Sequence, residues 1–319
     1  MTRGKEGIVI VRTHVSCADT PISPSHISVC ICTFKRPKLL RQLLDRLDDQ
    51  QTEALFTYSV VVADNDPEQS ARSVVVAFSS VTQADVTYCF ESRPNIALAR
   101  NKVLQHAQGD FIAFIDDDEY PADDWLCKLF KTCVAHGVAG VLGPVKPHFE
   151  SDPPEWLKKG RFFDRPTFAT GYRVNWDQAR TGNVLFKRDI LNDVDLPFRS
   201  EFDTAGEDVD FFRRMMGKGH TFIWCNEAVA HEIVPASRCT RSYLLKRALL
   251  RGSNFPKHPG RRITNAVRSL VAVPCYTLAL PLLAVFGQHL FLRYLIKLFD
   301  HISRLLAYLG LRLVTQRNT

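Results

Sequence analysis

An acidic run follows an apolar segment near the middle of the chain. Residues 111–121 read FIAFIDDDEYP, so Asp116, Asp117, Asp118 and Glu119 come directly after five apolar side chains. Adjacent carboxylates repel one another unless a cation neutralises them. The run could be a solvated turn. Alternatively, Asp116 and Asp118, in D-x-D spacing, could bind Mg²⁺ or Mn²⁺ together with the phosphates of a substrate.

Further acids and a histidine stand where chemistry could occur. Glu207 and Asp208 precede an apolar, helix-like stripe, where acids commonly complement the helix dipole, and where Asp208 could instead act as a general base. His231 follows an apolar, strand-like segment and could be a core histidine or a third metal position. Each of these residues therefore has a structural and a chemical interpretation.

Asp64 follows the strand-like segment of residues 58–63. It could cap a turn, or it could hydrogen-bond a nucleobase or ribose, as acids at strand ends do in nucleotide sites. Neither G-x-x-x-x-G-K-[ST] nor G-x-G-x-x-G occurs in the sequence, which disfavours a P-loop NTPase or a dinucleotide enzyme.

Short strands alternate with helices in the first half of the chain. The predicted strands are residues 27–33, 58–63, 86–90, 111–115 and 138–142, and the predicted helices follow Pro37, run over 96–107, and begin at Pro121. This alternation predicts an α/β fold with a doubly wound, mainly parallel sheet, which binds ligands at the carboxyl ends of its strands. Thr33, Asp64 and the acidic run all come at predicted strand ends, so we expect them at one edge of the sheet.

The second half of the chain begins irregularly. Residues 143–180 are rich in Pro, Trp and Phe and predict an ordered binding loop. A strand over 184–186, a helix that begins at Glu207, and short strands over 221–224 and 228–231 follow.

Several segments together resemble a known family. In chain order they are SVCICTFKRP, VVADNDP, SRPNIALARN, GDFIAFIDDDEYP, TGNVLFKRDIL and GEDVDFFRRM, and they are similar to glycosyltransferase family 2, with the GT-A fold. The segments GPVKPHFESDPPEWLKKGRFF and WCNEAVAHEIVPASR look closer still to the bacterial succinoglycan-type exopolysaccharide glycosyltransferases. The resemblance covers about residues 27–252.

The resemblance implies a division of the chain. Residues 1–26 would be an N-terminal extension, and 27–252 would be the GT-A domain. Within it, 27–142 would bind the nucleotide-sugar, and 143–252 would form the acceptor and catalytic half. Residues 253–319 would be a basic, apolar helical tail.

The resemblance also implies roles for individual residues. Those that would bind the nucleotide-sugar are Thr33, Phe34, Arg36, Asp64, Arg100, Asn101, Asp116 and Asp117. The candidate ligands of a divalent metal ion, Mn²⁺ or Mg²⁺, are Asp116, Asp118 and His231. Asp208 would be the general base, and the acceptor side would include Trp125, Gly182, Asn183 and Glu207. One departure is Ala63-Asp64-Asn65, where many members carry Asp-Asp-Gly.

The implied activity is inverting transfer of a sugar from a nucleotide-diphosphate sugar, UDP-linked, to a glycan or lipid-linked acceptor in polysaccharide biosynthesis. Two alternatives remain at this point. A metal-dependent nucleotidyltransferase acting on a sugar phosphate predicts a Gly/Arg-rich loop after the first strand, but residues 33–37, TFKRP, contain no glycine. A catalytically silent membrane scaffold should have lost Asp118 or Asp208, and both are present.

Charge and cysteine usage indicate the compartment. The 319 residues carry a net charge of +7, and from Thr240 onwards there are 13 Lys and Arg against one acid, Asp300. Nine cysteines without a CxxC pair fit reduced thiols in a cytosolic compartment. The N-terminus lacks the apolar segment of a signal peptide, so none is predicted.

The basic tail contains an uncharged stretch over residues 269–292. About 20 apolar residues can span a membrane. Pro274, Pro281 and basic residues on both sides instead favour a re-entrant or interfacial helix pair on an anionic cytoplasmic leaflet, at the inner membrane. A buried dimer interface is the alternative. The apolar stretch argues against a nucleic-acid partner.

Overall fold

The computed structural model describes residues 9–11, 24–202, 206–254, 262–311 and 313–314. Most of the predicted N-terminal extension, where the absence of a signal peptide was predicted, lies outside the described residues. So do residues 255–261, 312 and 315–319 of the predicted tail. Contacts divide the chain into unit 1, residues 1–146, 165–203 and 207–232, and unit 2, residues 147–164, 204–206 and 233–319.

Eleven strands are found in the described part of the chain. They are β1 (Val9–Val11), β2 (Ser25–Thr33), β3 (Phe56–Asp64), β4 (Asp85–Phe90), β5 (Phe111–Ile115), β6 (Glu119–Pro121), β7 (Gly140–Leu142), β8 (Val145–Phe149), β9 (Asn183–Lys187), β10 (Phe222–Trp224) and β11 (Ala230–Val234). Eight of them form a sheet in the order β1-β4-β3-β2-β5-β9-β7-β10. Only β1 and β9 pair antiparallel with their neighbours in it, so the predicted doubly wound, mainly parallel sheet is confirmed. The other three strands form a sheet in the order β6-β11-β8.

Nine α-helices lie in the described ranges. They are α1 (Pro37–Asp48), α2 (Arg72–Ser79), α3 (Ile96–His106), α4 (Trp125–His136), α5 (Glu155–Gly160), α6 (Glu207–Gly217), α7 (Arg241–Asn254), α8 (Arg262–Val285) and α9 (Gln288–Tyr308). Local sequence explains where two of them begin. Pro37 supplies the preset backbone angle at the start of α1. The Asn95 side chain caps α3 by accepting from the backbone N–H groups of Ala97 and Leu98, at 2.9 and 3.2 Å.

The core of unit 1 lies on both faces of the sheet. Val60 and Val62 of β3 pack into one cluster, while Val61 and Ala63 pack into the other, because successive side chains of a strand point to opposite faces. The leucine stripe of α1 belongs to the first cluster. Helices on both faces bury most residues of the central strands, and this explains their nearly continuous apolar sequences.

The register of the strands brings their carboxyl ends to one edge. Thr33 of β2 lies opposite Asp64 of β3, and β5 ends at Ile115, directly before the acidic run. Strand β9 runs in the opposite direction and begins with Asn183 opposite Ile115. This edge therefore receives the ends of three parallel strands and the start of an antiparallel one.

One predicted helix begins later than the sequence indicated. Pro121 does not open α4 but lies in β6, where it pairs with Ala230 of β11, and α4 begins at Trp125. The backbone N–H of Ala122 still donates to the carbonyl of Val229, at 3.1 Å. Pairing with a strand distant in sequence thus overrides the local preference of proline for a first helical turn.

Unit 2 has a small core of its own, formed by Leu157, Phe163, Val234, Leu244 and Leu292. The predicted boundary between residues 252 and 253 falls inside α7. Residues 263–285 of α8 form the one helix in the described ranges that is long and apolar enough to cross a membrane, with a mean hydropathy of 1.6. Both prolines lie inside α8, and the chain breaks instead before α9, at Gly287 with φ 125°.

Candidate active site

The middle of the acidic run is held by the loop that follows β2. The Thr33 hydroxyl donates to the Asp117 carboxylate at 2.8 Å. Arg36 donates to Asp117 at 2.9 Å and to Asp118 at 3.1 Å. This loop therefore supplies a hydroxyl and a guanidinium group to two adjacent carboxylates.

Arg100 of α3 lies on a second side of the acidic run. It forms an ion pair with Glu207 and lies 3.6 Å from the Asp116 carboxylate. Its guanidinium also stacks over the Phe198 ring at 5.6 Å. Because Glu207 is the first residue of α6, this buried arginine connects the end of β5 to the helix turn that carries Asp208.

A third side is formed by residues to which the sequence analysis assigned no role. Arg165 contacts Glu232 at 2.5 Å and Glu119 at 3.7 Å. Glu119 follows Asp118 and Glu232 follows His231, so both glutamates are sequence neighbours of predicted site residues. Nothing near Arg165 in the sequence signals its position, because it reaches the site only through the folding of the irregular 143–180 segment.

The site carries excess negative charge. Its carboxylates are Asp116, Asp117, Asp118, Glu119, Glu207 and Glu232, and they outnumber the guanidinium groups of Arg36, Arg100 and Arg165 by six to three. The pKa of Asp117 is raised to about 6, because burial, together with the nearby Asp118, outweighs the opposing effect of Arg36. Raised carboxyl pKa values of this kind occur at functional sites, where carboxylates are buried close together.

A divalent metal ion fits this donor set. Asp116 is the accessible member, since its side chain is 44% exposed. Glu119 Oε1 is buried and has no hydrogen-bond partner among the described residues. Within the described ranges, no three or more His, Cys, Asp or Glu side chains surround a common point. Mg²⁺ commonly binds one or two carboxylates and completes its shell with water and phosphates, so a fuller protein cage is not required.

His231 is not brought to the acidic run. It lies opposite Tyr120 in the β6–β11 pair and stacks on that ring with centroids 5.2 Å apart. Because side chains alternate along a strand, the neighbouring Glu232 takes the other face, with Glu119. The acid next to the predicted histidine is therefore the group that approaches the site.

Asp64 has a full set of partners inside the protein. It is fully buried and accepts hydrogen bonds from the backbone N–H groups of Asp66 and Ala71, at 3.0 and 2.9 Å, and from the Tyr88 hydroxyl at 3.2 Å. Burial raises its pKa, although these hydrogen bonds act in the opposite direction. In this structure Asp64 holds the turn after β3, the structural alternative of the sequence analysis.

Asn101 and Phe34 were also predicted to bind the nucleotide-sugar. Both polar atoms of the Asn101 amide bond the backbone of Phe198, at 2.6 and 3.0 Å, so the side chain fixes that segment. Phe34 is half-buried, and the Lys35 ammonium lies 5.7 Å from its ring centroid.

All four predicted acceptor-side residues are buried. The Trp125 indole is fully buried and donates to Asn183 Oδ1 at 2.7 Å. Asn183 in turn donates to the carbonyls of Pro144 and Ala228, at 3.0 and 2.8 Å. Gly182, by contrast, lies directly against the Asp116 and Glu119 carboxylates. Trp125 and Asn183 therefore tie β9 to α4, while Gly182 faces the acidic run.

Asp208 lies in the first turn of α6 and is half-buried. Its Oδ1 accepts from the backbone N–H of Val209 at 2.7 Å. The two arginines that follow pair with the fully buried Asp210, at 3.0 Å for Arg213 and 2.8 Å for Arg214. Arg213 and Arg214 therefore have their ion-pair partner within α6.

The fold with its strand-end carboxylates and arginines is of the GT-A type. The chain is similar to the mannosyltransferase PcManGT from Pyrobaculum calidifontis, solved in complex with GDP-Man and Mn²⁺, with a TM-score of 0.60 and 19% identity over 94% of this chain and 90% of that one. It is also similar to TarS 1–349 from S. aureus in complex with UDP-GlcNAc, with a TM-score of 0.51 and 17% identity over 66% of this chain and 58% of that one.

Sequence comparison identifies the family. Residues 28–194 match the profile of Glycosyl transferase family 2. The succinoglycan biosynthesis protein ExoM of Rhizobium meliloti is 36% identical over 237 residues, which are 73% of this chain and 74% of the relative. The chondroitin synthase of Pasteurella multocida is 25% identical over 66% of this chain and 25% of its own length. The chain belongs to glycosyltransferase family 2.

Proposed function

We propose that the protein transfers a sugar from a UDP-linked sugar to a glycan or lipid-linked acceptor in polysaccharide biosynthesis, with inversion at the anomeric carbon. The observation that carries the proposal is the convergence of Asp116–Asp118 with Arg36 and Arg100 at the carboxyl edge of the sheet. Two similar proteins support the proposal, since one is a succinoglycan biosynthesis protein and the other was solved in complex with UDP-GlcNAc.

The donor diphosphate would be bound by charge of both signs. Asp116 and Asp118 would hold Mn²⁺ or Mg²⁺, which, when bound, neutralises the departing diphosphate. Arg36 and Arg100 would direct guanidinium N–H groups to the phosphate oxygens, for which the planar donor fork is well suited. Both arginines pair with carboxylates in this structure, so donor binding would exchange part of these ion pairs for contacts to phosphate.

Asp208 would accept the proton of the attacking acceptor hydroxyl. It stands one residue after Glu207, whose ion pair with Arg100 holds the first turn of α6. A half-buried carboxylate at that position can meet a hydroxyl that approaches the side of the sugar opposite the diphosphate, which is the geometry of inversion.

A membrane surface would present the acceptor. Many apolar side chains of α8 are exposed, among them Leu278 at 78%, Leu282 at 68% and Val285 at 84%. Such a surface is unusual for a helix in water, and a lipid headgroup region would cover it. We place the protein on the cytoplasmic side of the inner membrane, as a peripheral or re-entrant protein.

A donor panel tests the proposal. Purified protein would be incubated with UDP- and GDP-linked sugars, with Mn²⁺, Mg²⁺ or EDTA, with and without a membrane lipid extract. We expect one UDP-sugar to be turned over with a divalent ion, more rapidly with lipid. Equal turnover in EDTA would remove the metal from the proposal. Failure to bind any nucleotide-sugar in calorimetry would overturn it entirely.

A further inference from the structure

The acidic run folds back on itself, and this brings its two outer acids together. The backbone N–H of Glu119 donates to the carbonyl of Asp116 at 3.0 Å, and the Asp116 N–H approaches Glu119 Oε2 at 3.4 Å. Asp117 and Asp118 are turned to Arg36. Asp116 and Glu119, the first and last acids of the run, therefore lie next to each other and are not bound by Arg36.

Gly182, which directly precedes β9, lies against the Asp116 and Glu119 carboxylates. A Cβ atom at residue 182 would lie 2.7 Å from Glu119 Oε1 and 3.1 Å from Asp116 Oδ2. Two carboxylate oxygens thus converge on one point, and glycine is the residue that leaves room for them. Two carboxylates this close repel each other unless a cation or a shared proton joins them.

Of these two acids, Glu119 is the more deeply buried. Its side chain is completely buried, and Oε1 accepts no hydrogen bond from any described residue. Arg165 approaches Oε1 no closer than 3.7 Å, beyond hydrogen-bond length, while its other nitrogen is engaged by Glu232. A buried carboxylate oxygen without a donor carries a desolvation cost that a bound cation would remove.

We infer that Glu119 is a ligand of the divalent ion, which it shares with Asp116 above Gly182. The inference rests on the metal dependence in the proposed function and assigns a residue outside the D-x-D pair. Asp116 would receive the ion from solvent, and Glu119 would complete its coordination from the interior. Oxygen ligands of this kind suit Mn²⁺ and Mg²⁺.

Mn²⁺ alone serves as the probe. The electron paramagnetic resonance signal of free Mn²⁺ would be followed as full-length protein is titrated, so that catalysis is not needed. We expect Glu119→Gln to weaken Mn²⁺ binding ~10-fold or more, since it removes a coordinating charge. Glu53→Gln, in an exposed ion pair with Lys131, is the matched control and should bind like the wild type.

Two further variants separate ligation from support. Arg165→Met breaks the ion pairs of Glu119 and Glu232 but keeps both carboxylates, so Mn²⁺ binding should be retained or tighter. Binding as weak as in Glu119→Gln would mean that Glu119 acts only through this network, and would overturn the inference. Gly182→Ala keeps every charge but places a methyl group against the Glu119 and Asp116 carboxylates, so it should weaken Mn²⁺ binding. This variant provides the test if Glu119→Gln does not fold.

The outcomes also distinguish the inference from the proposed function. Wild-type affinity in Glu119→Gln, with Mn²⁺ bound by the wild type, would overturn the inference alone. A wild-type protein that binds UDP but no Mn²⁺, with or without UDP, would overturn both the inference and the metal dependence on which it rests.

Discussion

Individual carboxylates at the strand edge differ in how completely they are paired. Asp64 accepts three hydrogen bonds, whereas Glu207 Oε2 and Glu119 Oε1 have no hydrogen-bond partner among the described residues. Buried acids that keep free lone pairs are poor stabilisers of a fold and good candidates for ligand contacts. The candidate chemistry therefore concentrates around the acidic run and the start of α6.

Replacing Asp208 tests its role as the base. Asp208→Asn should bind the donor with unchanged affinity, because Asp208 is not in the arginine network, and should lower the transfer rate by ~10²–10⁴-fold. Calorimetry and a transfer assay measure the two effects. The exposed Asp177→Asn is the control. Near-normal transfer would assign the proton to another group, with Glu207 as the next candidate.

Replacing Arg100 tests the link between β5 and α6. Arg100→Met leaves Glu207, with 5% side-chain exposure, as an unpaired buried charge. We expect the free energy of unfolding to fall by about 3–5 kcal/mol. Urea denaturation measures it. Adding Glu207→Gln to Arg100→Met should recover part of the loss, because the two side chains are coupled. Additive losses in the double variant would contradict the link.

Among the elements, the contact between α4 and β9 shows that a residue predicted to face the acceptor is part of the core. Trp125→Phe removes the N–H that bonds Asn183 Oδ1 and leaves a buried acceptor unpaired. We expect a loss of ~1–3 kcal/mol in the free energy of unfolding. The Michaelis constant for the acceptor should not change. A raised Michaelis constant with unchanged stability would restore the acceptor role.

The opposite edge of the sheet contains a pH-dependent contact between β2 and β3. The His26 ring bonds the hydroxyls of Thr57 and Ser59, at 2.7 and 2.9 Å, and burial lowers its pKa below the usual value, against Asp110 and Asp85. As the pH falls, His26 therefore gains its proton at a higher pH in the unfolded chain than in the folded protein. The neutral ring's contribution to stability is complete above about pH 6.5 and is lost as the pH falls below that value.

A non-titrating side chain tests this contribution. His26→Gln should be less sensitive than the wild type to a change from pH 7.5 to pH 5, when the free energies of unfolding from urea denaturation are compared. The difference between the two proteins isolates the histidine from the other groups that titrate in acid. If the free energy of unfolding depended on pH identically in both proteins, the proposed contribution of His26 would be contradicted.

For the whole molecule, the division into two units changes how the tail should be tested. Truncation after residue 260 would remove α9, whose Leu292 belongs to the core of unit 2 together with Leu244 of α7. A truncated protein that no longer binds membranes could then have lost the folded structure of unit 2 rather than its membrane contact. Substitutions on the exposed side of α8 avoid this problem, because those side chains are largely exposed and do not belong to the core of unit 2.

A surface variant of α8 gives the sharper experiment. Leu270, Leu278, Leu282 and Val285 would be changed together to Gln, and each lost burial in lipid should cost ~1.5–3 kcal/mol. We expect the variant in the soluble fraction with donor binding intact, whereas Val81→Gln with Leu196→Gln, exposed apolar residues of unit 1, should remain with the membrane. A wild-type protein found soluble and dimeric would instead identify α8 as an interface.

The sequence by itself determined the elements and the edge at which the acids lie. Strand β5 was predicted over the same five residues that the structure shows, α3 was predicted to within about one residue, and α1 was predicted to start at Pro37. These features depend on side-chain periodicity, on Pro37 and on the residues around each turn, all of which act within a few positions along the chain.

Only the tertiary structure decided which polar atoms have partners. Antiparallel β9 brings Gly182 against Asp116, and Arg165 reaches Glu119 across 46 positions, although neither contact leaves a periodic signal in the sequence. Asp64 and Asn101 stand at the predicted positions, but the turn after β3 takes up the hydrogen bonds of Asp64, and the backbone of Phe198, 97 positions away, takes up those of Asn101. Periodicity shows which face a residue takes, whereas the partner it meets depends on how distant segments close on one another, and this is decided by packing of the whole chain.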